Sequence, residues 1–300
     1  MNPLRIGTRR SKLAIAQAEE VRYLLAAQGV ESELVPMSTS GDEGTSPAGV
    51  PGGLKGLWTD AILDALQEGE LDLAVHSAKD LPAEDEDGFL IAAVPRRADP
   101  RDVLVTRDRA LPSGATIGTS SLRRRAQLVR RFPGIEVVGL RGNVDTRVRK
   151  VTDGEVDAAV LAAAGLARLG LEPTYCAPLP VELMVPAPGQ GAIAVQTRDD
   201  DEATIALVAP LEDRESRLAW DAERSLMWRM GGGCALPLGA IAEVSEEGIR
   251  IRAMVAMPDG SEAIEVDEGG GTPEQAAMAA ARALIDGGAE RILERVGAAG

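Results

Sequence analysis

The chain has 300 residues, 45% of them hydrophobic, which is enough for two or three cores and too much for one small module. Its formal charge of −15 excludes a general affinity for nucleic acid or anionic membrane, so any anion must be held by cations gathered against that field. Two well-separated cysteines, Cys176 and Cys234, and a single histidine exclude a disulfide framework and an ordinary structural zinc site, and no metal is expected.

The opening "MNPLRIGTRR" leads straight into alternating apolar residues, and no segment reaches the roughly 20 apolar residues that span a bilayer. A cytoplasmic chain is expected. "LRIG" (4–7) predicts a strand, and 11–29 a helix with Leu13, Ala14, Ala18, Val21 and Leu25 on one face, capped by Ser11 and stopped by Gly29. "SELVPM" is the second strand, the Gly/Ser/Thr/Pro-rich 38–53 a polar loop, "TDAILDALQEGE" a helix and "LDLAVHS" the next buried strand. This alternation predicts parallel α/β wrapping. After "PRRADPRD" (95–102) the pattern restarts, with strands "VLVT", "ATIG", "IEVVG" and "DAAVLA" between helices that begin near Ser120 and Asn143. "LMVPAPGQGAIAVQTR" (183–198) predicts a return to the first lobe. Crossings near 95–100 and 186–191 describe a cleft that opens and closes. From 213 a long helix, a glycine turn, strands "GAIAEV" and "GIRIRAMVAM" and a helix from Pro273 predict a third, α+β domain.

Residues able to do chemistry gather at strand ends. In "IGTSSLRRRAQL" a strand runs through Thr119, Ser120 and Ser121 into a helix, offering N–H and hydroxyl groups to an anion, with Arg123 and Arg124 adding forked donors. Alone, the segment reads equally well as a capped helix with a basic face. Arg9 beyond Gly7, Arg141 in "GLRGNV", Arg147 one helical turn further and Arg168 closing "AAAGLAR" repeat the placement, where open parallel sheets bind ligands. Arginines gathered in so acidic a chain point to a substrate with several carboxylates. RNA would call for stacking aromatics, and aromatics are only 2%. In "AVHSAKDLP" (74–82) Lys79 and Asp80 follow a strand. As a surface ion pair they would be worth little, whereas in a cleft among arginines the Asp80 carboxylate can accept N–H donors and stabilise a developing cation. His76 by itself reads as a core or capping histidine. In "RMGGGCALPLGA" three glycines put Cys234 on a flexible turn open to a bulky group, while Cys176 has no such setting and reads as structural.

Nine segments taken in order resemble the porphobilinogen deaminase (hydroxymethylbilane synthase) family nearly end to end: "RIGTRRSKLAIAQ", "GLKGLWTDAILDAL", "DLAVHSAKDLP", "RDVLV", "IGTSSLRRRAQL", "LRGNVDTR", "AAAGLARLGL", "PGQGAIAV" and "GGGCALPLGA". The resemblance implies an α/β fold with two periplasmic-binding-protein-like α/β domains around a cleft and a C-terminal α+β domain. The boundaries expected are 1–96 with 190–212, 97–189, and 213–300. It implies a transferase of porphyrin biosynthesis that joins four porphobilinogen units with loss of ammonia into linear hydroxymethylbilane, each round passing through a cation and the last ending in hydrolysis. It also implies a dipyrromethane cofactor tied by a thioether to Cys234. Asp80, with Lys79, is the implied catalytic pair, Asp80 contacting pyrrole nitrogens. The acetate and propionate arms would be held by Arg9, Ser11, Lys55, Ser77, Lys79, Thr119, Ser120, Ser121, Arg123, Arg124, Arg141, Arg147 and Arg168. Trp58 belongs to the same site and stands where the family usually has phenylalanine, and Gly231 replaces a residue that is often larger and polar. A monomer acting on a small molecule, with no nucleic-acid or membrane partner, is expected. The rival class is a solute-binding or sensory protein that holds a polyanion without chemistry, which has no need of a cysteine on a glycine loop.

Overall fold

The computed structural model describes residues 2–38, 60–84, 86–232 and 236–299. The polar stretch 38–53 from its second residue on, Lys55, Trp58 and Cys234 lie outside them. Strand β1 (Leu4–Arg9) carries Ile6 into the core and leads to Ser11, whose hydroxyl accepts from the Ala14 N–H and starts helix α1 (Lys12–Ala27). Ala18, Val21 and Leu25 form the buried stripe of α1, against the sheet. β2 (Ser32–Met37), α2 (Asp60–Gln67), β3 (Leu73–Ser77) and β4 (Phe89–Ala93) follow, and with β10 (Ile193–Arg198) the sheet order is β2-β1-β3-β10-β4. Pro36 is accommodated because β2 is an edge strand.

The second sheet has the order β7-β6-β8-β5-β9, from β5 (Asp102–Thr106), β6 (Thr116–Gly118), β7 (Glu136–Val138), β8 (Ala158–Ala162) and β9 (Tyr175–Pro178). Helices α3 (Leu122–Arg131), α4 (Val144–Thr152) and α5 (Ala163–Arg168) connect its strands. Both sheets repeat one pattern, and it is not the purely parallel wrapping that the sequence predicts. β10 runs antiparallel to β3 and β4, and β5 antiparallel to β8 and β9. Each is the first strand after a crossing, so it enters its sheet at the end where the parallel strands finish and must run the other way. α6 (Glu202–Val208) then packs against β4 and β10. The C-terminal part is α7 (Arg214–Arg229), an antiparallel meander of β11 (Leu238–Ser245), β12 (Gly248–Ala256) and β13 (Ala263–Gly270), then α8 (Pro273–Asp286) and α9 (Ala289–Ala299). Leu226, Met227, Ile251, Val255, Ala277 and Leu284 form its core between helices and sheet.

The two crossings lie side by side, Ala98 N–H donating to the Gly191 carbonyl at 3.2 Å. Glu223 of α7, fully buried, fastens both: its carboxylate accepts from Arg97 at 2.6 and 3.0 Å, from the Gly189 N–H at 2.6 Å and from the Ala242 N–H at 2.8 Å. Arg97 Nε also reaches the Gln190 carbonyl at 2.8 Å. The segments expected to act as a hinge are therefore tied to the C-terminal part by one carboxylate.

Candidate active site

The carboxyl ends of β1 and β3 and the start of α1 enclose a cavity whose lining includes Arg9, Ser11, Gln17, His76, Ser77 and Asp80. A second cavity shares Leu13, Gln17 and Ser77 with it and adds Lys79, Arg124, Arg147 and Arg168 from both sheets. The two adjoin through these shared residues, the second reaching across to the other lobe, and together make up a trough. Asp80 ends the short 3-10 turn Ala78–Asp80 after β3; Ala78 is buried as its anchor while Asp80 is exposed. Ser77 donates its hydroxyl to Gln17 Oε1 at 2.9 Å, which ties the same turn to α1.

The cations of the trough crowd one another. Burial lowers the pKa of Lys79, Arg124 and Arg123 add to the effect, and Asp80 and Asp102 oppose it. Arg147 is lowered by burial and by Arg124 as well. Three of the arginines are also aimed by a backbone carbonyl. Arg147 Nε donates to the Gly142 carbonyl at 2.7 Å, Arg124 Nη1 to the Val160 carbonyl at 2.9 Å, and Arg168 Nη2 to the Gly191 carbonyl at 3.1 Å. Arg168 Nε further pairs with Glu20 of the first lobe at 2.9 Å. Positive groups pressed together at the mouth of two sheets are suited to receiving carboxylates.

Other expected residues stand elsewhere. Arg123 lines neither cavity; it is buried, and its Nη1 donates to Asp102 at 2.8 Å and to the Val185 carbonyl. Of the hydroxyls of 119–121, expected to be free for an anion, that of Ser120 has its proton engaged, whereas those of Thr119 and Ser121 accept N–H bonds and keep their own protons to donate. Ser121 caps α3 through the Arg124 N–H, Thr119 Oγ1 accepts from the Ser121 N–H at 3.2 Å, and Ser120 donates to the Leu140 carbonyl at 2.9 Å. Short hydroxylated side chains at a helix start bond the nearest backbone first. Arg141 is exposed and lines neither cavity.

Two residues that pattern reasoning missed support the site. Asp102, fully buried at the start of β5, accepts from Arg124 Nη2 at 2.7 Å and from Gln190 Nε2 at 2.9 Å as well as from Arg123. Its signal was a lone carboxylate opening the apolar strand "DVLVT". Gly189, at φ +72°, lets the second crossing approach the turn Ala78–Asp80: an added Cβ would stand 2.9 Å from Lys79 N and 3.0 Å from the Ala78 carbonyl carbon. Gly189→Ala is expected to cost about 1–3 kcal/mol of strain and to lower turnover by displacing that turn. Urea midpoint and activity measured on one sample check this, and an unchanged pair of values would count against the close approach.

The helix α7 ends at Gly231 and Gly232, both with positive φ, and a Cβ on Gly232 would lie 3.7 Å from the Ala83 side chain. The chain two residues before Cys234 thus passes close to the loop that follows Asp80. Arg224 of α7 holds the same loop, donating to the Pro82 carbonyl at 3.1 Å and the Glu84 carbonyl at 2.9 Å. Among the described residues no group of three or more His, Cys, Asp or Glu could hold a metal ion, and no helix is long and apolar enough to cross a membrane.

Residues 4–206 match the family model described as porphobilinogen deaminase, dipyromethane cofactor binding domain, and 218–286 match the porphobilinogen deaminase C-terminal domain. A porphobilinogen deaminase of Nocardia farcinica is 46% identical over 312 aligned residues, covering 99% of this chain and 89% of that one. One of Brevibacillus brevis is 44% identical, covering 99% and 98%. Among solved structures, a periplasmic substrate-binding protein of an ABC transporter from Coxiella burnetii is similar over 69% of this chain and 91% of its own, at 16% identity and a TM-score of 0.41. With both of its parts matched, and with relatives alike over nearly their whole length, the chain belongs to the porphobilinogen deaminase family.

Proposed function

We propose that the trough between the two sheets is where this enzyme converts porphobilinogen into hydroxymethylbilane, with Asp80 as its catalytic carboxylate and Cys234 as the attachment point of its dipyrromethane cofactor. The observation that carries this is one carboxylate, Asp80, lining a cavity that shares three wall residues with another lined by Lys79, Arg124, Arg147 and Arg168, in a chain of net charge −15. The donor set fits the cofactor: pyrroles with acetate and propionate arms need cations for the arms and an acceptor for the ring N–H groups, and both lie along the trough. When bound, dipyrromethane supplies the pyrrole end at which the chain is extended. Arg9, Lys79, Arg124, Arg147 and Arg168 bind carboxylate arms, Ser11 and Ser77 add hydroxyls, and Lys55 and Trp58 complete the site from outside the described residues. Asp80 holds its negative charge where positive charge develops as ammonia departs. Thr119 and Ser121 keep O–H protons that can be donated to an arm, whereas Ser120 is tied to the Leu140 carbonyl and Arg123 to Asp102. We assign the same three units as above, 1–96 with 190–212, 97–189 and 213–300, to a monomer working in the cytoplasm.

The purified chain is expected to be heavier than its sequence by two pyrrole units. Cys234→Ser should abolish the excess, and Cys176→Ser should leave it. Intact mass spectrometry decides, and a fully active chain without added mass would refute the assignment of Cys234.

A further inference from the structure

Arg168 closes α5 in the second lobe, yet its guanidinium bonds to the first: Nε to Glu20 of α1 at 2.9 Å and Nη2 to the Gly191 carbonyl at 3.1 Å. Neither bond uses Nη1, and the side chain, 8% exposed, lines the trough with Lys79, Arg124 and Arg147. A second ion pair crosses the same way. Lys12, which opens α1, meets Asp145, in the first turn of α4, at 2.7 Å, and α4 carries Arg147. Between Lys12 and Glu20 in the chain, Leu13 and Gln17 line the trough, and Gln17 holds Ser77, from which the turn ending in Asp80 starts. At about 100° per residue, Lys12, Leu13, Gln17 and Glu20 fall within an arc of about 140°, so one face of α1 meets α4, α5 and the Asp80 turn.

A long cationic side chain binds a carboxylate best when its fork is already pointed, because ordering it at the moment of binding costs entropy. The carboxylate and the carbonyl that point Arg168 belong to the opposite lobe. Resting on the assignment of the trough to the arms of porphobilinogen, we propose that Glu20 and Lys12 are positioning residues, which through α1 hold Arg168 and the helix of Arg147 in register with Asp80 across the cleft. Neither lines a cavity, so Glu20 acts through Arg168 and Lys12 through α4. Their side chains are 37% and 74% exposed, and replacing them leaves no hole in a core.

Steady-state kinetics on holoenzyme shown by mass to carry its adduct test this, with the urea midpoint measured on the same samples. Glu20→Ala is expected to raise KM for porphobilinogen about three- to fivefold, the upper scale of a partly exposed ion pair, with kcat and the midpoint little changed. Glu20→Gln, which keeps an acceptor for Nε, should recover most of that loss. Lys12→Glu should raise KM in the same direction, and Asp145→Lys added to it should restore the value. In an Arg168→Leu background, whose own KM is raised, Glu20→Ala should add nothing, because the group it aims is gone. A lower midpoint or kcat with KM unchanged in Glu20→Ala would reduce Glu20 to a structural contact and overturn the proposal. An equal rise in KM with and without Arg168 would overturn it too. If Arg168→Leu itself leaves KM unchanged, the assignment of Arg168 to the arms fails, and the positioning with it. If Arg168→Leu raises KM while Glu20→Ala and Lys12→Glu do not, the site stands and the positioning alone is overturned.

Discussion

Replacing Asp80 by asparagine is expected to cut turnover by about 100-fold or more, the effect of losing one preorganised stabilising group. The amide keeps the size of the side chain and removes only its charge. Asp80 sits at the tip of a turn anchored by buried Ala78 and by the Ser77–Gln17 hydrogen bond, so the substituted side chain has every reason to stay in place. Binding should suffer less than turnover, because Lys79, Arg124, Arg147 and Arg168 still line the neighbouring cavity. A surface ion pair with no part in the reaction would instead cost at most about 1 kcal/mol of stability and leave turnover alone. Assays belong on protein shown by mass to carry the cofactor, since a variant purified without it would be inactive for another reason. Near-wild-type turnover in that holoenzyme would remove Asp80 from the chemistry.

Asp102→Asn should produce the largest loss of stability. Arg123 and Arg124, with side chains 4% and 8% exposed, would be left with no buried carboxylate between them. Breaking a buried pair on one side costs about 3–5 kcal/mol, because the remaining charge is stranded away from water. Burial alone would raise the Asp102 pKa, but the pull of Arg123 and Arg124 and their hydrogen bonds override it and hold the carboxyl well below the usual carboxylate range. A depressed native value means that the contribution to stability is complete above about pH 4 and is lost as acid protonates the folded protein. The variant lacks that group, so between about pH 4 and the acid limit its stability should fall less steeply than that of the wild type. Denaturant midpoints across that range test both parts, and equal midpoints at pH 7 would show that the two guanidinium groups find water or another partner.

Elements with a full buried face were legible in the sequence, and of the six edge strands among the described residues β2, β7 and β11 were legible while the others were not. α1, β3, α3, α7 and α8 announce themselves through apolar spacing and caps such as Ser11, Ser121 and Thr272. β4, β9 and β13 were missed, and all three are edge strands, where one side of the ladder is unpaired and the apolar signal is weak. At the site, segment resemblance picked out the cations, and the structure sorted them. Spacing could not distinguish Arg124, which lines a cavity, from its neighbour Arg123, which does not, because one helical step of 100° separates the wall of the trough from the core. Asp102 and Glu223 stayed hidden for a related reason: a buried carboxylate is recognised by its partners, and those are 19 to 126 residues away.

The two reversed strands also set a timetable for the chain as it is made. The second sheet draws all five strands from residues 102–178 and can close as soon as that stretch has left the ribosome. The first sheet cannot, because β10 must slide between β3 and β4, which have waited since residue 93. Until residue 198 emerges, β3 and β4 expose unpaired ladders on their facing edges, the kind of edge that pairs with the wrong strand. The lobe that carries Asp80 is thus started first and completed last, and the turn that ends in Asp80 acquires its shape only after the opposite wall of the cleft already exists.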